Sequence, residues 1–517
     1  MTDELRPEPS ATERAADGLS RDDAPQTAPG KPGLARGEGE SATSARPAAH
    51  LEHDGARKIA DQHSNSAVAI SAAAPPSAAA RAIAPTSSAA LRAADLPRRP
   101  DAAGRTPDIT WVFLLAGVTA LGPFAMQALA PALPGFARAL AISDVAAQSM
   151  ISSAMLAIAI GAVVYGPLAD HFGRRPVLLA GLILSVVGAL VAAVAPTFEL
   201  ALVGRVAQAA GAGAGMVLAR AAAQDVYGAQ GAAAVLAKIT AFMVVAPMLA
   251  PAIGGALAAW VGWRGIFVAV AVLSIAMLYV AHRRFKETAR ELSPRLEVGA
   301  ALRDYGAVAS RRAFVAHAVF ASCLLASFFL FVSGGPYVLE RAFGIGPLVY
   351  GVMFIGAAAV YMAANLASPA LAERIGSDGV LRIGAMLGAT GCVITAVMLW
   401  GPPTVAVGTG LAAEVNWAAL GAVSFGLCFH AAGTGLATPG AIAGAVAAYP
   451  RRAGSAASLV SVAQFSAAAL AAQAATALPF DRGAPLFLCM AALLLLGVAA
   501  LAALSAPAPA EKSVDKI

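Results

Sequence analysis

The sequence predicts an all-α, polytopic membrane protein of about twelve spanning helices arranged as two six-helix halves. Three observations predict it. Of 517 residues, 58% are hydrophobic and only 13% are charged, whereas an ordinary soluble domain carries about 25% charge. The apolar residues are concentrated between Ile109 and Leu504, more than one soluble core can absorb, since cores stop growing at roughly 250–300 residues. The cations in that region cluster in short segments between apolar runs, the pattern that orients membrane helices. Mean hydropathy is +0.70.

Residues 1–108 are rich in Ala, Pro, Ser, Arg, Asp and Glu and show no apolar periodicity. Such a segment buries too little to offset its ordering entropy and reads as a disordered tail. Its stretch Ala67–Ala80 is too weakly apolar for the core of a signal peptide. From Ile109 onward, runs of the ~20 residues a span requires fall at 109–133, 146–168, 176–195, 199–220, 235–258 and 263–281. Six more follow at 313–333, 347–370, 381–400, 417–442, 454–478 and 484–505. The halves are therefore 109–281 and 313–505, with a polar linker over 282–312 and a C-terminal tail over 506–517.

Loop charge supports this division. Alternate loops hold His171, Arg174 and Arg175; Lys238; Arg283, Arg284, Lys286, Arg290, Arg295, Arg303, Arg311 and Arg312; Arg374 and Arg382; and Arg451 and Arg452. The intervening loops hold only Arg138, Arg264, Arg341 and Arg482. The basic loops are expected on the cytoplasmic side, with both termini. The net charge of +6 thus serves orientation and gives no support for nucleic-acid binding. Cys323, Cys392, Cys428 and Cys489 lie in apolar stretches without CxxC spacing and read as small buried hydrophobes.

The loop after the second span reads Gly166-Pro-Leu168-Ala-Asp170-His-Phe-Gly173-Arg174-Arg175-Pro176. Asp170 closes one helix at the basic surface, Gly173 permits a tight turn, and Pro176 suits a helix start. This resembles the G-x-L-A-D-x-x-G-R-[RK] signature of the major facilitator superfamily. Span four holds Arg205-Val-Ala-Gln208-Ala-Ala-Gly211, followed by Arg220 and Asp225. Span five holds Ala246, Pro247, Ala250, Pro251, Gly254 and Gly255, then Gly262-Trp263-Arg264-Gly-Ile-Phe267. Span seven ends Ser-Gly-Gly-Pro336-Tyr337. From about Leu121 to Leu459 the chain resembles the Bcr/CflA group of twelve-span drug:H+ antiporters within that superfamily. The resemblance implies secondary active efflux by alternating access in a bacterial inner membrane, by a monomer without a cofactor, with a small-molecule substrate and H+ as partners.

The span-five motif also has a mechanical reading. Ala246, Ala250 and Gly254 recur every fourth residue and give one face a row of tiny side chains, which lets another helix approach closely. Pro247 and Pro251 remove backbone donors and favour a kink. Simple packing explains the small residues equally well.

Ionisable groups deep in a membrane are functional candidates by default. Arg205, ~22 Å along the helix from Arg220, falls in the outer half, and the resemblance assigns it to proton or substrate coupling. Asp170 and Arg220 lie at one level and are expected to form a gate pair that breaks on opening to the cytoplasm. At the first-span position where many relatives carry an acid, this chain has Gln127, which cannot titrate but can hydrogen-bond a substrate. His317 and His430 are the interior histidines able to titrate near neutrality. Gln148, Tyr337, Asn365 and Gln464 are candidate cavity polars, and Glu340 and Glu414 read as outer loop residues. No G-K-[ST] loop, H-E-x-x-H or G-x-S-x-G motif is present, so neither an ATP-driven pump nor an enzyme is expected. A facilitator or narrow-substrate exporter of sugar or amino-acid derivatives, without proton coupling through the first helix, is the alternative. A membrane receptor or scaffold using the N-terminal tail is a further one.

Overall fold

In the computed structural model every regular element among the described residues is a helix, and each predicted span coincides with one. The structure describes residues 109–289, 291–294, 298–400, 417–449 and 453–505. The tails, Arg290, Arg295, Glu414, Arg451 and Arg452 lie outside the described residues.

The first half contains α1 (Ile109–Ala139), α2 (Asp144–Phe172), α3 (Arg174–Val194), α4 (Phe198–Gly228), α5 (229–260) and α6 (Trp263–Arg284). Within α1, Pro131 and Pro134 withdraw backbone donors, and Ala130–Ala132 tightens into a 3-10 turn there. Ser143 accepts a hydrogen bond from the Ala146 amide and caps α2, and Thr197 caps α4 in the same way. The run Phe198–Trp260 would be one long rod but for Gly228. Its φ of 66° with ψ of 178° reverses the chain between α4 and α5.

The linker contains a helix that hydropathy did not predict, α7 (Val298–Ala309). The second half follows with α8 (Arg312–Phe343), α9 (Pro347–Ile375), α10 (Ser377–Met398), α11 (Trp417–Ala447), α12 (Ala453–Ala474) and α13 (Ala484–Ser505). Helix α8 runs ten residues past its predicted end at 333, so Glu340 and Arg341 are helical residues of its last turns, not loop residues. Apolarity marks where lipid lies, whereas hydrogen bonding continues until Gly344 caps the helix in the left-handed conformation.

Among the described residues, eleven helices are long and apolar enough to cross a membrane. Their outward faces carry bare aliphatic side chains, among them Ile160, Val203, Val272, Leu366, Val397 and Leu470. Water would not tolerate that surface, but lipid does. The protein is an integral membrane protein.

The two halves repeat one packing plan. In the first, α1 lies against α4 and α5, and α3 against α4 and α6; in the second, α8 lies against α11 and α12, and α10 against α11 and α13. Between halves, α5 packs on α9 and α2 on α12, the same contact with the halves exchanged. Small residues make these approaches possible. A methyl group on Gly254 would collide with the Ala128 carbonyl of α1, and one on Gly255 with the Pro347 carbonyl of α9. Gly211, in the glycine-rich stretch of α4, meets the Gly181 carbonyl of α3; that stretch is a helix-packing surface.

Candidate functional site

A cavity of about 260 Å³ lies between the halves and is bounded by α1, α4, α8, α9, α11 and α12. Its walls are largely aliphatic and aromatic, with Phe328, Phe329, Phe354 and Phe465 contributing rings. Its polar groups are Gln127, Tyr361, His430, Thr434, Thr438 and Gln464. Of the residues predicted to face a central site, Gln127, His430 and Gln464 do line it.

His430 is buried in α11, where its Nε2 lies 2.9 Å from Ser327 Oγ of α8. The Ser327 hydroxyl also lies 3.1 Å from the Met490 carbonyl, so this one side chain links α8 to α11 and α13. The Thr434 hydroxyl donates to the His430 carbonyl at 2.8 Å, and the Thr438 hydroxyl to the Thr434 carbonyl at 2.7 Å. Gln464 Nε2 donates to the Ala321 carbonyl at 3.3 Å.

The other candidates lie elsewhere. Arg205 is fully buried but does not line the cavity. It ties α4 to α2, with Nε donating to the Met150 carbonyl at 3.2 Å and Nη1 to Gln208 Oε1 at 2.6 Å. Its Nη2 has no partner, and no carboxylate reaches it among the described residues. Gln148 donates across the halves to the Ser333 carbonyl at 2.6 Å. Asn365 Nδ2 bridges α9 to the Gly435 carbonyl of α11 at 3.5 Å, behind the cavity wall. His317 is not interior. It sits at the basic end of α8, where Nδ1 meets the Ala313 carbonyl and Nε2 lies 3.6 Å from Asp378. Spacing along a helix places a residue at a level; the direction of its side chain is decided by its neighbours.

The end of the bundle opposite the basic loops is shut by contacts between the halves. Arg138 pairs with Glu340. Arg341 engages both Asp144 oxygens, at 2.9 and 2.7 Å. Arg341 also lies over the rings of Tyr337 and Phe480, 5.5 and 5.6 Å from their centroids, and those rings stack at 4.9 Å. Tyr337 therefore belongs to this closure and not to the cavity. Ser152 donates to Gln473 at 3.0 Å, and Gln473 to the Val145 carbonyl at 3.2 Å, extending the seal along α2 and α12. Sequence reading set Arg138, Arg341 and Glu340 aside as isolated loop charges and did not single out Asp144. The available signal was that both halves carry acids as well as bases at this end, Asp144 and Arg138 in one and Glu340 and Arg341 in the other.

At the basic end a vestibule of about 630 Å³ opens between the halves. Gly166, Asp170, Arg174, Arg220 and Asp304 line it, and it meets the central cavity at Met216 and Phe465, which line both. The expected Asp170–Arg220 pair is not formed here. Asp170 pairs with Arg174 at 2.6 Å, the geometry of residues one turn apart, and Arg174 Nε reaches Asp225 at 3.1 Å. Arg220 stands exposed on the vestibule wall without an ion-pair partner among the described residues. Gly173 turns with φ of 98°, leaving room for Glu287, whose carboxylate accepts the Arg174 and Arg175 amides at 2.9 and 3.1 Å. Partial burial opposes ionisation of Glu287, but the amides of Ala289, Arg174, Arg175 and Thr288 all donate to it, outweigh that penalty and hold the carboxyl below the usual carboxylate range. Arg175 itself donates to the His282 carbonyl at 3.1 Å.

In the span-five motif, Ala250 is buried, Gly254 faces α1, and Pro251 and Gly255 face α9, the Pro251 carbonyl lying against Gly351. The row of small residues therefore serves two partners, one in each half. Ala246 is half-buried; the side chain of Pro247 is outside the described ones. No group of three or more His, Cys, Asp or Glu suited to a metal occurs among the described residues.

Two helical halves around a shared cavity, sealed at one end and open at the other, define a polytopic membrane transporter of the alternating-access kind. The chain belongs to the Major Facilitator Superfamily, whose family model matches residues 115–472. This is a family of small-molecule transporters, not of enzymes. Among its relatives are a chloramphenicol resistance protein of Pseudomonas aeruginosa, 28% identical over 60% of this chain and 76% of the relative. A bicyclomycin resistance protein homolog of Haemophilus influenzae is 25% identical over 76% of this chain and 95% of the relative. A D-xylose–proton symporter structure shares the fold, with a TM-score of 0.57 at 14% identity, over 78% of this chain and 97% of that one.

Proposed function

We propose that this protein is a monomeric secondary exporter of small, largely apolar drugs or metabolites, coupled to H+ entry across a bacterial inner membrane. The basic end, with both termini, faces the cytoplasm in this reading, and the conformation is the inward-open one. One observation carries the proposal. A cavity walled mainly by apolar side chains from both halves adjoins a vestibule at the basic end, with Met216 and Phe465 lining both, while ion pairs between the halves seal the other end. Such a cavity loads from the cytoplasmic side and releases outward when the seal breaks and the vestibule closes. Asp170 and Arg220, both on the vestibule wall, are the charges assigned to close it. The names of the two resistance proteins above support efflux as the direction.

Proton coupling is assigned to Arg205 and His430, the basic side chains that are buried among the described residues. The test is transport in proteoliposomes with an imposed pH gradient, using chloramphenicol, cationic dyes and sugars. Accumulation that follows ΔpH is expected; accumulation indifferent to ΔpH refutes the antiport. A second reading, a facilitator or narrow-substrate exporter without this coupling, is favoured by one observation. Gln127 occupies the acidic position, and no carboxylate lines the cavity among the described residues.

A further inference from the structure

Helix α6 carries a row of exposed apolar side chains, Val268, Val272, Ile275 and Tyr279. Steps of three and four residues keep them on one face, and in an integral membrane protein that face meets lipid. Arg283, four residues past Tyr279, continues the row, and its guanidinium lies 5.5 Å from the Tyr279 ring centroid. The arginine therefore sits at the foot of a lipid-facing stripe, at the level where a span leaves the hydrocarbon.

Other cations gather at the same foot. Arg284 and Lys286 are exposed. Arg175, at the start of α3, is tied to the end of α6 by its bond to the His282 carbonyl. Like charges this close in sequence and space repel one another unless something neutralises them. The neighbouring carboxylate, Glu287, is occupied: Oε1 accepts the amides of Arg174, Thr288 and Ala289, and Oε2 that of Arg175. Arg283, Arg284 and Lys286 form no ion pair among the described residues. Arg174, at the same end of the bundle, is by contrast held by Asp170 and Asp225.

Membrane topology asks only that cations stand in this loop. It does not ask that they be left without acids at the end of an apolar stripe. The surface is positive at headgroup level and aliphatic above it, and the molecule that matches both parts is a lipid with a net negative charge. Its phosphate suits the guanidinium forks, and its chains suit the stripe.

We propose that the foot of α6 is a binding site for an anionic phospholipid, with the headgroup held by Arg283, Arg284 and Lys286 and an acyl chain lying along Val268, Val272, Ile275 and Tyr279. The site is independent of what the protein transports and in which direction.

The test is native mass spectrometry of the full chain released from detergent micelles and titrated with phosphatidylglycerol or phosphatidylcholine of the same chain length. The first phosphatidylglycerol is expected to bind about 10-fold or more tighter than phosphatidylcholine. Each cation near an anionic headgroup contributes about a factor of five. Arg283→Gln with Arg284→Gln should therefore weaken phosphatidylglycerol by about 10- to 30-fold and leave phosphatidylcholine unchanged. Arg374→Gln with Arg382→Gln, which removes two exposed cations from the basic end of the second half, should leave phosphatidylglycerol within about twofold. Equal affinity for the two lipids overturns the proposal, and so does an equal loss in both double variants. Displacement of phosphatidylglycerol by inorganic phosphate at constant ionic strength also overturns it, because the ligand would then be a free anion and not a lipid.

Discussion

Removing both charges that α8 contributes to the sealed end should shift the protein toward the form open at that end, by an amount the structure sets. Glu340 pairs with Arg138 of α1, and Arg341 with Asp144 of α2. The two bridges are half-exposed and use separate partners, and the sum of their contributions sets the scale of the effect. The ring contacts of Arg341 lie within its own half and aim the guanidinium without joining the halves. A partly exposed pair contributes about 0.5–1 kcal/mol, so Glu340→Ala with Arg341→Ala withdraws about 1–2 kcal/mol from the sealed state. At 1.4 kcal/mol per decade the open population then rises about 5- to 30-fold. The readout is thiol labelling of Ser333→Cys after the four native cysteines are replaced by alanine. Ser333 is fully buried where Gln148 crosses to α8, so a maleimide reaches it only when the halves part. Its labelling rate should rise by the same factor, and salt should raise the unmodified protein's rate by screening the pairs. A rate unchanged within about twofold would show that helix packing at Gly255 and Gly351, and not charge, holds this end shut.

Two further perturbations follow from the geometry. The folded pKa of Glu287 is lowered, so its tie between the linker and α3 is fully present above the unfolded carboxyl pKa of about 4.3 and is lost as pH falls through the lower folded value. Hydrogen exchange at the Arg174 and Arg175 amides should be protected at pH 7, lose protection below pH ~4, and lack it at every pH in Glu287→Ala. Arg205 spans two acceptors on different helices while carrying an uncompensated buried charge. Arg205→Ala should therefore keep or raise thermal stability yet lower proteoliposome flux by about tenfold or more. Arg205→Lys should not restore flux, because a single ammonium cannot reproduce the guanidinium fork. Full flux in Arg205→Ala would remove the residue from the transport cycle.

Much of this protein is legible in the amino-acid sequence because lipid makes the problem local. Every backbone group within the bilayer must be satisfied inside its own helix, so an apolar run of sufficient length becomes a helix whatever its neighbours. The apolar spans, the polar linker and the small-residue motif of α5 are properties of this kind. So is the turn at Gly166–Pro176, where a proline, a glycine and paired charges act within a few residues of one another.

What only the tertiary structure decided is which side chains meet. Arg138 and Glu340 are 202 residues apart, and no periodicity in either half points to the other. Tyr337 and His430 are both interior polar residues in sequence, yet one stacks on Phe480 under the seal and the other lines the cavity, hydrogen-bonded to Ser327. His317 has the same apolar neighbourhood in sequence but stands beside Asp378 at the basic end. Helical spacing sets the height of a residue along the bundle, whereas its partner depends on how helices from both halves are rotated against one another. That rotation follows from packing summed over the whole interface, at glycines such as Gly254 and Gly255 where two backbones touch, and it is there that the site is determined.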